Sequence, residues 1–166
     1  MILPIKKWPD PVLLKPCRPW DFNNPPLGLQ RFVEQDLVNT MLNELALGLA
    51  ANQVGISYRV MAMNVQAGAH AGRQIVMFNP KLLSISQDLF DADEGCLSFP
   101  GVMLKISRPK TVEVGWQDMQ QNAYTADFTD IDAKCFLHEL DHLDGRVFKD
   151  YVSELKFQRA VSKAKK

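Results

Sequence analysis

The stretch FLHELDHLDGRVF, Phe136–Phe148, limits what this chain can fold into more than any other. Asp130 or Asp132 can cap a helix start, because a carboxylate accepts hydrogen bonds from the orphan amides there, and Gly145 provides a stop. With ~3.6 residues per turn, Phe136, Leu140 and Leu143 share one apolar face of that helix. His138 and His142 share the opposite face, with Ile131 and Cys135 close to them. A helix with two such faces belongs in the interior, with a layer on each side.

The remaining patterns supply those layers. Seven of the ten prolines precede Leu27, so residues 1–26 are expected to be extended and irregular. Leu29–Leu47 has amphipathic spacing through Phe32, Val33, Leu37, Met41, Leu42 and Leu45 and predicts a long helix. LAANQV, between Gly48 and Gly55, reads as a turn or loop. RVMAMNV, RQIVMFNP, KLLSIS, LKISRPKTVEVGW and NAYTADF read as strands, with a flexible QAGAHAG loop after the first. Val152–Ala164 predicts a closing helix, and residues 156–166 form a basic tail. Helix, strands, helix gives one α+β domain over residues 1–166, with mostly antiparallel sheets packed around a central metal-binding helix.

Hydrophobic residues make up 46% of the 166 and charged ones 23%, an ordinary globular balance. Nineteen basic side chains against 19 acidic ones give no net charge, which argues against a sequence-specific nucleic-acid binder. No apolar run is long enough for a membrane span. The start, MILPIKKWPDPV, lacks the order of a signal peptide, so a cytoplasmic location is expected. Three cysteines, Cys17, Cys96 and Cys135, do not make a disulfide framework.

His138 and His142 at i and i+4 can offer two imidazoles to one metal ion. Glu139 stands about 100° round the helix, beside the metal rather than on it. This is the H-E-x-x-H arrangement of two ligands and a general base for water. Alone it is weak, since two histidines so spaced are often satisfied structural side chains.

A third ligand must therefore come from elsewhere. Glu154 is the only later glutamate, and Phe148 stands where an extended H-E-x-x-H-x-x-G-x-x-H frame needs histidine. His70 lies in the Gly/Ala loop, Cys135 lies on the same helix, and Cys17 lies in the proline-rich start. Cys96 remains, in DADEGCLSFPG, with Gly95 permitting close backbone approach. One thiolate and two imidazoles leave a fourth position open, as catalytic sites do. That donor set alone suggests zinc.

Three motifs in order, ALGLAANQ (Ala46–Gln53), EGCLS (Glu94–Ser98) and HELDH (His138–His142), make the chain resemble the peptide deformylases, over nearly its whole length. Ala46 departs from the first glycine of the family's first motif, Leu137 stands where many relatives have glutamine, and Met103 stands where some have arginine. The resemblance implies that Cys96, His138 and His142 hold a divalent metal, with Fe(II) favoured and zinc, nickel or cobalt as alternatives. It implies an N-formyl-Met peptide substrate whose formyl group leaves as formate. Glu139 would move the proton, and the Gln53 amide and the Leu97 N–H would meet the oxyanion. Gly48 and Gly95 would lie against the substrate backbone, while Leu47, Ile131 and Cys135 would line the methionine pocket, with the Lys134 stem along its rim. Asp141 is a candidate partner behind the ligands, with a surface charge as the equal alternative. A monomer is expected, and the basic tail is a candidate ribosome contact. The competing readings are a small metallopeptidase and a non-catalytic metal-bearing binder of nascent-chain ends.

Overall fold

The computed structural model describes residues 1–26, 28–29 and 33–165. The α+β expectation holds. Helix α1 (Val33–Asn43) precedes strands β1 (Gly48–Ala50), β2 (Val60–Asn64), β3 (Gln74–Ile85), β4 (Leu89–Cys96), β5 (Phe99–Pro109), β6 (Thr111–Gln117) and β7 (Ala123–Thr129). Helix α2 (Asp130–Leu143) and helix α3 (Glu154–Ala164) follow. Five strands form one sheet in the order β1-β2-β3-β6-β7, and β4-β5 is a separate hairpin. Every pairing between these strands is antiparallel.

Helix α2 lies between the two sheets, as its two-faced pattern requires. Phe136, Leu137, Leu140 and Leu143 pack into a core with Met61, Met63 and Met77 and with Val112, Val114 and Phe128 of the large sheet. The hairpin has its own core, where Phe99, Val102, Leu104 and Ile106 meet Leu13, Val147, Phe148 and Phe157. Phe157 docks α3 onto the hairpin, so the basic segment is a packed helix as far as Ala164. Gly145 ends α2 with φ of 72°, and a Cβ there would stand 2.8 Å from the Lys15 carbonyl carbon and the Pro16 nitrogen. Conformation and space both call for glycine at this position.

Several elements differ from expectation. The first helix ends at Asn43, not Leu47, because the Ala46 N–H reaches back to the Met41 carbonyl and Leu45 turns left-handed with φ of 52°. Its expected first residue, Leu29, lies in a turn, and positions 30–32, including Phe32, lie outside the described residues. LAANQV begins in β1 and continues as a 3-10 turn, Ala51–Val54. RQIVMFNP and KLLSIS are one strand, β3, whose register against β6 shifts between Phe78 and Lys81. LKISRPKTVEVGW is divided at Lys110 into β5 and β6, which belong to different sheets. Its alternation runs through the break, so periodicity alone cannot show it. Asp130 and Asp132 do not cap α2. Thr129 holds the cap position, and the Asp132 carboxylate accepts the N–H groups of Gln66 and Ala67, both at 2.9 Å. Among the described residues no helix is long and apolar enough to cross a membrane.

Candidate metal centre

Cys96 closes β4, where the β4–β5 register shifts between Gly95 and Cys96. Such an irregularity re-aims a side chain, and here the sulfur comes to 3.2 Å from His142 Nε2. One ligand atom from each of Cys96, His138 and His142 falls within 4.8 Å of the others. The two histidines are deeply buried, with His142 1% exposed and His138 8%, and Cys96 is half-buried. Burial, ahead of every other cause, pushes the His142 pKa well down and favours the neutral ring. A thiol and two imidazoles from a strand end and a helix fit one divalent ion, and the trio leaves a coordination position open. Neither Cys17 nor His70 belongs to the trio. Cys17 is buried in the core, and His70 packs edge-on against Trp116.

Behind the ligands lies a buried polar network of which sequence reasoning reached only Asp141. His138 Nδ1 is 2.9 Å from Glu94 Oε2. Arg108 donates to both Glu94 oxygens, at 2.6 and 3.1 Å, and to Asp141 Oδ2 at 2.8 Å. Asp141 thus supports Arg108 rather than a histidine directly. Burial alone would raise the Glu94 pKa, but hydrogen bonds from His138 and Arg108 and their charges bring it down to about 2. A carboxylate on the second nitrogen fixes a ligand histidine's ring orientation and tautomer. Glu94 sits inside a recognised motif, which could have signalled it; Arg108 has no local signal on its strand. Lys134 lines the cavity but from a buried position, being 2% exposed. Its ammonium donates to the Ala92 and Ile106 carbonyls at 2.8 and 2.6 Å and pairs with Glu94 at 3.2 Å.

A cavity of about 450 Å³ opens beside the trio. Leu47, Gly48, Gln53, Gly95, Cys96, Leu97, Ile131, Cys135, His138 and Glu139 all line it, while His142 lies behind. Burial, only partly offset by His138, pushes the Glu139 carboxyl up to about 7. Its Oε2 is buried with no hydrogen-bond partner. Gln53 is held at Oε1 by the Ala50 N–H at 2.9 Å, and its Nε2 lies 3.3 Å from Ser98 Oγ and 3.6 Å from Cys96 Sγ. Burial and then the Glu139 charge raise the Cys135 thiol well above its ordinary range, so it packs as a thiol. Of the departures noted above, Ala46 does not adopt a positive φ, Leu137 is in the core, and Met103 lies over Gly95.

Gly48 is required for space. A Cβ there would sit 2.7 Å from Cys135 Sγ and 2.7 Å from both Glu139 Cγ and Oε1. Gly48→Ala should therefore displace Glu139 and lower kcat by about 10²-fold, since a misplacement of ~1 Å can cost that much. Metal content should be unchanged, because no ligand is touched. Steady-state kinetics beside a metal assay would check both, and an unchanged kcat would contradict the steric argument.

The fold and trio define an α+β protein with a Cys-His-His metal centre on a buried helix. Residues 2–158 match the family model for polypeptide deformylase, and the chain belongs to that family of enzymes, which are metal-dependent and remove N-formyl groups from nascent peptides. It is 34% identical over 160 residues to the peptide deformylase of Bartonella tribocorum, covering 95% of this chain and 88% of the relative. It is 37% identical over 158 residues to that of Maricaulis maris, with coverage of 95% and 89%. The crystal structure of peptide deformylase from Ehrlichia chaffeensis superposes with a TM-score of 0.88 at 33% identity, covering 99% of this chain and 96% of that one. The same enzyme in complex with actinonin gives a TM-score of 0.87 at 34% identity, with the same coverage.

Proposed function

We propose that this chain hydrolyses the formyl amide at the amino end of N-formyl-methionyl peptides, with Cys96, His138 and His142 holding one divalent metal ion. Fe(II) is the favoured ion on family resemblance, with zinc, nickel or cobalt as alternatives. Bound there, the ion would supply Lewis acidity and would lower the pKa of water toward neutrality. Glu139 accepts the proton of the attacking water and passes it to the departing methionyl amine, as its raised pKa suits. The charge developing on the formyl oxygen is met by the Gln53 amide and the Leu97 N–H. Formate and the free amine leave. Gly48 and Gly95 lie along the peptide backbone, β1 being an edge strand that can take one more strand. Leu47, Ile131 and Cys135 surround the methionine side chain. A cytoplasmic location, a monomer and a ribosome contact through the basic tail, residues 156–166, complete the reading.

The observation that carries it is the placement of Gln53. Its amide reaches the Cys96 sulfur at 3.6 Å across 43 residues of chain, and a metal held only for structure needs no such donor. Gln53→Ala should lower kcat by about 10²–10³ without changing metal content. Full turnover in that variant would remove Gln53 from the chemistry.

A further inference from the structure

Gln53 follows β1 of the large sheet, whereas Leu97 lies in the turn between β4 and β5 of the separate hairpin. Two donors on different sheets serve one developing oxyanion only if their separation is fixed before the reaction. One link is direct, from Gln53 Nε2 to Ser98 Oγ at 3.3 Å. The other runs through three consecutive residues near the start of the chain. The Lys6 N–H donates to the Gln53 carbonyl at 2.7 Å, and the Trp8 N–H donates to the Ser98 carbonyl at 2.9 Å. Between them, Lys7 Nζ donates to the Leu97 carbonyl at 2.7 Å. The Trp8 ring stacks on Phe99 at 5.7 Å, which anchors the segment to the hairpin beyond Ser98.

We infer that Lys6–Trp8 is a brace that sets the spacing of the two oxyanion donors, and that Lys7 is a positioning residue acting through Leu97. This rests on the reading of Gln53 and Leu97 as those donors. Lys6 contributes to the brace through its main chain, and the Trp8 ring also packs on the hairpin core, so Lys7 is where a side-chain substitution tests the brace without disturbing that packing. Lys7 is exposed at the rim of the cavity, so its replacement leaves the packed core intact.

The experiment compares wild type, Lys7→Met and Lys7→Arg as metal-loaded proteins on formyl-Met-Ala-Ser with either a free or an amidated carboxyl end. The expected result is a fall in kcat of roughly tenfold for Lys7→Met on both peptides, as for loss of an interaction that matters only in the transition state. KM, metal content and Tm stay at wild-type values, and Lys7→Arg, which keeps a donor at that reach, recovers most of kcat. An unchanged kcat in Lys7→Met would overturn the inference. So would a KM increase confined to the free-carboxylate peptide, which would make Lys7 a reader of substrate charge, or a Lys7→Arg enzyme as slow as Lys7→Met. Gln53→Ala is assayed in parallel. If it is fully active, the reading of the donors fails; if it is slow while Lys7→Met is normal, only the brace fails.

Discussion

Glu139→Gln should lose turnover by about 10²–10⁴, the usual contribution of a positioned proton carrier, and keep its full metal content. The substitution preserves shape, so packing against Gly48 survives. It removes the one property the mechanism uses, since an amide cannot take up a proton and return it near neutral pH. The site makes that role specific. Glu139 is 5% exposed, and burial pushes its carboxyl up to about 7. Its Oε2 makes no hydrogen bond, so the substitution breaks none at that oxygen, and the folded state should be at least as stable. Formate release, metal content and thermal unfolding of the same preparation would check all three statements. A variant with more than half of wild-type turnover would mean that another group carries the proton.

Arg108→Met should have the largest effect on stability. The guanidinium is 3% exposed and pairs with both Glu94 and Asp141. Methionine matches much of the volume but removes the cation shared by two buried carboxylates, leaving Glu94 with Lys134 and Asp141 with the exposed Arg146, each at 3.2 Å, and breaking a buried pair costs about 3–5 kcal/mol. Glu94 also orients His138, so metal affinity should fall by about 10–100-fold, as for the loss of other groups that orient metal ligands. The acid side gives a second test. Glu94 has its carboxyl lowered from 4.5 to about 2, so its contribution to stability is present above 4.5 and is lost as pH falls toward 2. Without Arg108 the folded value rises, and acid unfolding should begin at a higher pH than in wild type. Urea unfolding at neutral and acid pH, with a chelator competition for the metal, would measure these effects. A loss under about 1 kcal/mol would show that Glu94 and Asp141 find other partners, and would remove Arg108 from the account.

The parts of this site set by short-range periodicity were legible in the sequence. His138, Glu139 and His142 are fixed relative to one another by helix geometry, and Gly145 is the helix stop a sequence reader can anticipate, although its close approach to Lys15 and Pro16 is not. Cys96 was reached by exclusion, and its aim depends on an irregularity in β4–β5 pairing that no local pattern announces. Strand β4 escaped notice because its exposed positions carry Asp91 and Asp93, acids that are depleted in strands. Arg108 carried no signal in the sequence, and Lys134 read as a stem along the pocket rim. Their burial depends on Glu94 and on carbonyls 28 and 42 residues away from Lys134, and pairing at that range is set by tertiary packing. The carboxylates of α2 show the same limit. Asp132 looks like a cap but holds the loop at Gln66 and Ala67, because helix propensity says nothing about which loop lies alongside.

The most direct test of the central claim is formate release from a formyl-Met-Ala-Ser peptide by anaerobically prepared protein, with metal content measured on the same sample. The account predicts release in proportion to bound metal, lost on chelation and restored when the ion is returned. Folded, metal-loaded protein that releases no formate would contradict it.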